Sequence, residues 1–102
     1  MTAYDYISRR MTETELLAGL AEECAELGKA ALKMRRVLDR SNPTPVTFSE
    51  ARQAIVEEIA DVEFLLEMLG YKSDGVKAEI KAIREEKTPR WAKRLGWEEN
   101  KI

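Results

Sequence analysis

Two acidic clusters, Glu22-Glu23-Cys24-Ala25-Glu26 and Glu57-Glu58-Ile59-Ala60-Asp61, hold the residues of this chain whose types and spacing can do chemistry. Each contains an i, i+3 pair, Glu23 with Glu26 and Glu58 with Asp61, and that spacing on a helix brings two carboxylates close enough to share one ion. Donor sets built only of oxygen suit Mg²⁺ or Mn²⁺, hard cations that keep waters and bridge to phosphate oxygens. The chain has no histidine, which excludes imidazole acid–base catalysis, zinc sites that need imidazole and the Glu-x-x-His di-iron motif. Between Ala54 and Leu69 there are five acids (Glu57, Glu58, Asp61, Glu63 and Glu67) and no Lys or Arg, so nothing within that stretch neutralises them.

The helices that must position these acids follow from periodicity. Stepping 100° per residue, Leu16, Leu20, Cys24, Leu27, Ala31, Met34 and Leu38 fall within about 40° of a common line, the expected buried stripe of a first long helix. Glu23 projects roughly 60° from that stripe and Glu26 roughly 120° on the same side, while Glu22 points almost directly away. In a second helix Ile55, Ile59, Val62, Leu65, Leu66 and Leu69 build the apolar sector, with Glu58 inside it and Asp61 at its edge. A lone Glu-x-x-Glu is ordinarily a pair of solvated acids. Here two such clusters coincide with a carboxylate on an apolar face, where an unpartnered acid is costly or becomes protonated. Face-to-face packing then brings four carboxylates together, which favours a metal.

Helix boundaries are equally legible. Thr12 with Glu15 and Thr47 with Glu50 read as capping boxes, opening helices that run to about Leu38 and Leu69, the latter stopped by Gly70. Ser41-Asn42-Pro43-Thr44-Pro45 reads as the intervening turn. A third helix is expected from Ser73 or Asp74 to about Lys87, with Val76, Ile80 and Ile83 on its buried side and Pro89 limiting it. Short helical segments are expected over Thr2 to Arg9 and Arg90 to Gly96. No strand-like alternation or internal repeat interrupts this pattern. The expected fold class is all-α: one domain over residues 1–102, an antiparallel bundle of the four-helix type completed by oligomerisation, because helices of this size leave a small core.

Bulk properties narrow the setting. With 102 residues, 44% hydrophobic and 35% charged, the composition is that of a small globular helical protein. One cysteine, Cys24, permits no internal disulfide and is expected as a small buried hydrophobe; no apolar run has the length of a membrane span or the pattern of a signal peptide, so a cytoplasmic location is expected. The net charge of −2 conceals segregation, with Lys29, Lys33, Arg35, Arg36 and Arg40 following the first acidic cluster and eight Lys or Arg between Lys72 and Arg94. Such separation suits a site that holds cations and polyanions together. Nucleic-acid binding is not expected, because the basic residues are interspersed with acids and form no recognised motif.

At Glu22-Glu23-Cys24-Ala25-Glu26-Leu27 and Glu57-Glu58-Ile59-Ala60-Asp61-Val62, in that order, the chain resembles the MazG-like all-α nucleoside triphosphate pyrophosphohydrolases, whose signature is Glu-Glu-x-x-Glu on one helix and Glu-x-x-Asp on the next. The similarity covers roughly Leu16 to Gly70. It implies an oligomeric four-helix bundle, a dimer or tetramer, that binds Mg²⁺ (or Mn²⁺) and cleaves a nucleoside triphosphate between its α- and β-phosphates to give monophosphate and pyrophosphate. The matching metal positions are Glu23, Glu26, Glu58 and Asp61, with Glu23 or Glu26 as the base and Glu22 behind them. For the phosphates the candidates are Lys33, on the flank of Glu26, and the stripe Lys77, Lys81 and Arg84 on the third helix; ordinary solvated helix faces are the competing account of both. Trp91, Trp97, Tyr71, Phe48 and Phe64 are expected to close a core or a subunit contact rather than stack on a base. Two other functions share these features. One is phosphoribosyl-ATP pyrophosphohydrolysis on the same fold and metal; the other is a non-catalytic helical assembly module whose acids pair with the basic C-terminal segment of another subunit.

Overall fold

The structure, a computed structural model, describes residues 1–41 and 45–98. Four helices follow one another: α1 (Ala3–Arg10), α2 (Glu13–Asp39), α3 (Phe48–Met68) and α4 (Asp74–Arg94), with no strand among the described residues. The fold class is all-α. Residues Asn42, Pro43 and Thr44 of the expected turn lie outside the described residues. The chain divides into two compact units, Met1–Gly70 with α1 to α3, and the segment from Tyr71 onward with α4.

Capping chemistry places the helix starts. The Thr12 hydroxyl accepts the Glu15 N–H at 3.2 Å while the Glu15 carboxylate accepts the Thr12 N–H at 3.0 Å. Thr47 and Glu50 repeat the exchange at 3.1 and 3.3 Å. Each box satisfies helix N–H groups that otherwise have no partner, a cap being worth about 1 kcal/mol. Hydrogen bonds from Thr12, backbone first and hydroxyl second, hold the Glu15 carboxyl below its ordinary range. A third box, Thr2 with Asp5, opens α1; the shorter Asp in place of Glu made it harder to read. Beyond α3, Gly70 takes φ 87° and donates its N–H to the Glu67 carbonyl at 3.0 Å, the left-handed stop expected of glycine.

α2 and α3 form an antiparallel hairpin, as the register shows. Gly19 lies against Leu65, whose two Cδ atoms stand 3.6 Å from the place a Cβ on Gly19 would take. One turn on, Glu23 meets Glu58 and Asp61, and further along Ala30 shares a groove with Ala54. The buried residues of this unit are Leu16, Ala30, Ala51 and Leu65. Tyr4 of α1 packs edge-on against Phe64 of α3, with ring centroids 5.7 Å apart.

The contact line of α2 departs from the expected stripe. Cys24, Ala31 and Leu38 are exposed, whereas Gly19, Leu20, Glu23, Leu27 and Met34 are half-buried and Ala30 is buried. The line is turned by about 50° towards Glu23. Small residues explain the rotation, since Gly19 and Ala30 on α2 and Ala51 and Ala54 on α3 let the two backbones approach along a line that averaging the leucines does not mark. Cys24 is therefore not the buried hydrophobe expected of it. Leu17, Leu32 and Leu38 are left uncovered on α2, and Ile59 on α3.

α4 corrects the sequence reading twice. It runs to Arg94, past the expected stop near Lys87 and through Pro89, so Arg90 to Arg94 continue this helix instead of starting another. Proline removes one helical N–H and crowds the carbonyl four residues back. Here the surrounding turns are exposed, so water can serve the displaced carbonyl, and the Thr88 hydroxyl donates to the Arg84 carbonyl at 2.6 Å. Ile80 and Ile83, expected on a buried side, are exposed, and only Val76 and Ala92 are half-buried within the helix. Phe48, Tyr71, Trp91 and Trp97 are exposed as well, leaving Phe64 as the one aromatic of that group with a ring partner among the described residues.

Candidate functional site

Rotating α2 towards Glu23 is what builds the site. Glu23 sits at the centre of the α2 contact line and Glu58 near the centre of the α3 line, so helix packing drives the two carboxyls together. Asp61, one turn beyond Glu58, completes a triad in which one oxygen from each residue lies within 4.8 Å of the others. Glu23 and Glu58 are half-buried and Asp61 is exposed, which leaves one side of the cluster open to solvent.

Three carboxyls this close carry an unresolved electrostatic debt. Glu58 Oε2 is buried without a hydrogen-bond donor among the described residues, and an acceptor left in that state ordinarily costs about 1–3 kcal/mol. The Glu23 carboxyl is pushed above its ordinary range, first by the Glu58 carboxyl beside it, then by lost hydration and by the charges of Asp61, Glu58 and Glu26. A divalent cation would satisfy the orphaned oxygen and cancel the repulsion together. The chemistry of the donor set fits one, since three carboxylates that bring one oxygen each within 4.8 Å of the others are the hard oxygen ligands Mg²⁺ or Mn²⁺ would take.

The sequence candidates divide clearly. Glu23, Glu58 and Asp61 converge. Glu26 does not join them; its carboxylate, largely exposed, takes the Lys29 ammonium at 3.3 Å. Glu26 projects about 60° round α2 from Glu23, away from the contact line, which is why three acids meet where four were expected. Glu22 is exposed. Lys33 lines a groove of about 410 Å³ between α2 and α3, together with Glu26, Lys29, Ala30, Arg36, Ala54 and Glu58. Arg36 was not singled out from the sequence as a site residue, although Glu26, Lys29, Lys33 and Arg36 form an i, i+3, i+7, i+10 row that marks one helix flank. Lys77, Lys81 and Arg84 belong to α4 in the second unit. There Lys81 pairs with Glu85 at 3.8 Å, and Lys81 and Arg84 line a hollow of about 470 Å³ with Glu85, Thr88 and Pro89; Lys77 is exposed.

No helix among the described residues is long and apolar enough to cross a membrane. No family model, curated protein or solved structure matches the chain.

Proposed function

We propose that this protein is a divalent-metal-dependent nucleoside triphosphate pyrophosphohydrolase of the MazG-like kind, converting a nucleoside triphosphate and water to the monophosphate and pyrophosphate in the cytoplasm. The observation that carries this reading is the buried Glu58 Oε2, without a donor among the described residues, on a side chain that meets Glu23 and Asp61 and lines a groove with Lys29, Lys33 and Arg36. Carboxylates alone suit Mg²⁺ or Mn²⁺, and adjacent cations suit the phosphates such an ion escorts.

Glu23, Glu58 and Asp61 would hold the ion, and Glu26 stands outside the set at the groove wall. When bound, the ion supplies charge neutralisation at phosphate oxygens and acidifies water. The chain's own residues do the rest. The groove orients the phosphate chain, and with no histidine present a carboxylate must accept the proton of the attacking water. Glu26 suits that task because it lies one turn from Glu23, is exposed, and stays outside the triad; Glu23, raised above the ordinary range, is the other candidate. Attack at the α-phosphorus breaks the α–β anhydride, and pyrophosphate leaves.

The working form in this proposal is a homo-oligomer. Uncovered Leu17, Leu32 and Leu38 on α2, and Ile80 and Ile83 on α4, support it, since four buried residues among those described make a small core. Sedimentation that shows only monomer at micromolar concentration would remove this part of the proposal. The reaction is tested by incubating the protein with each NTP and dNTP, and with phosphoribosyl-ATP, with and without Mg²⁺ or Mn²⁺, and resolving the products by chromatography. Metal-dependent monophosphate and pyrophosphate are expected. Turnover of phosphoribosyl-ATP alone would move the substrate, and no turnover across the panel would favour the assembly role.

A further inference from the structure

We propose that one face of α4, centred on Trp91 and the hollow it forms with Lys87, Arg90 and Arg94, binds single-stranded nucleic acid. The face uses none of the residues of the acid triad or of the groove between α2 and α3, so it stands or falls apart from the triphosphate reading.

Along the sequence, acids interrupt the basic residues of this segment, which weighed against a nucleic-acid partner. The helix sorts them. Stepping 100° per residue, Lys77, Lys81, Arg84, Lys87 and Arg94 all fall within about 80° of Trp91, with Arg90 at about 100°. The acids of α4, Asp74, Glu79, Glu85 and Glu86, lie about 100° or more away. Neither Arg84, Lys87 nor Arg94 has an ion-pair partner among the described residues, while Lys81 and Arg90 take Glu85 and Glu86 at the borders of the face. Like charges at i, i+3 and i, i+4, such as Arg84 with Lys87 and Arg90 with Arg94, repel one another. A polyanion laid along the face relieves that repulsion.

Trp91 identifies the kind of polyanion. It is 69% exposed, although an indole is among the most costly side chains to leave in water. Lys87, Arg90 and Arg94 surround it in a hollow of about 260 Å³. Lys77, Lys81, Arg84, Lys87, Trp91 and Arg94 follow one another at three or four residues, about 4.5–6 Å along the axis, so the indole occupies one place in a row of cations. Single strands offer both matching groups, a phosphate in each backbone repeat and an unpaired base whose flat face stacks on an aromatic ring. A duplex keeps its bases stacked inside, and an acidic peptide offers charge but nothing for the indole. Helices that lie on membranes place their cations opposite the apolar face; here cations and indole share one face.

Fluorescence anisotropy of labelled oligo(dT) and oligo(U), titrated with the full chain in EDTA over a series of KCl concentrations, tests this. The variants are Trp91→Ala, Trp91→Phe, the pair Lys87→Gln with Arg94→Gln, and Lys93→Gln, an exposed cation of the same helix on the opposite side. Every substituted side chain is exposed, so the fold should hold. Both strands should bind the wild type; Trp91→Ala should lose about tenfold, and Trp91→Phe should keep most of the affinity. The paired cation variant should flatten the slope of log K against log salt by about 1.4, at about 0.7 for each phosphate contact removed. Lys93→Gln should match the wild type. A wild type that binds neither strand, or a loss in Lys93→Gln equal to that of the paired variant, overturns the inference. So does a duplex or a polyglutamate chain that binds as tightly as the single strands with no dependence on Trp91.

Discussion

Replacing Glu58 by Gln should reverse sign between metal-free and metal-loaded protein. Without metal, the substitution removes a negative charge from a position where Oε2 has no donor and where Glu23 and Asp61 both stand close. Relief of the i, i+3 repulsion with Asp61 alone is worth about 0.2–0.5 kcal/mol. At about 4–8 °C per kcal/mol for a chain of this size, the variant melts about 1–4 °C above the wild type in EDTA. With metal at one hundred times its dissociation constant, a ligand that binds only the folded state adds about 2.7 kcal/mol. The wild-type Tm then rises by about 11–22 °C. Glu58→Gln, left with two carboxylates and an amide that offers a weaker oxygen, rises by a small fraction of that, so the two melting curves exchange order. Thermal denaturation followed by circular dichroism, in EDTA and across a series of Mn²⁺ concentrations, reads both halves. A wild-type Tm that ignores Mn²⁺, or an equal rise in the two proteins, refutes the assignment of the triad.

The remaining predictions concern pH and packing. The Glu23 carboxyl, raised in the folded state, binds its proton more tightly there than in the unfolded chain, so it costs stability as pH climbs through and above the ordinary carboxyl range. In EDTA, Glu23→Gln should therefore gain on the wild type near neutral pH and lose that gain in acid. Glu15, lowered by its Thr12 hydrogen bonds, has the opposite sign, and Glu15→Ala should lose stability near neutral pH and lose less in acid; a flat difference from the wild type across pH by urea denaturation, in either variant, would contradict the cause assigned to that residue. At Gly19 a Cβ would meet Leu65 at ordinary contact distance, so Gly19→Ala should stabilise α2 by about 0.5–1 kcal/mol. Gly19→Leu should overpack the hairpin by about 1–3 kcal/mol and weaken Mn²⁺ binding at the triad one turn away; unchanged Mn²⁺ affinity in a folded Gly19→Leu protein would show that this contact does not set the triad.

Much of this molecule is local and was therefore open to sequence reasoning. Capping boxes at Thr12 and Thr47, the glycine stop at Gly70 and the 3.6-residue periodicity depend on residues within a turn or two of one another, and they placed α2 and α3 to within a residue or so. The same locality made Glu58 conspicuous, because a carboxylate on an apolar face is visible in projection. Pro89 misled for a related reason: a proline's local penalty is legible, but the exposure that lets α4 absorb it is not.

What the tertiary structure decided was which line of each helix touches the other. Summed hydrophobicity points α2 at Cys24, Ala31 and Leu38, while close packing of Gly19 and Ala30 against α3 turns it towards Glu23. That rotation of about 50° separates Glu23, which joins Glu58 and Asp61, from Glu26, which faces the exposed Lys29. It also opens the groove that takes in Lys33 and Arg36. Residue types and spacing determined that acids and cations would share one flank of α2. Backbone approach, set by the smallest residues on two helices at once, determined which of them meet.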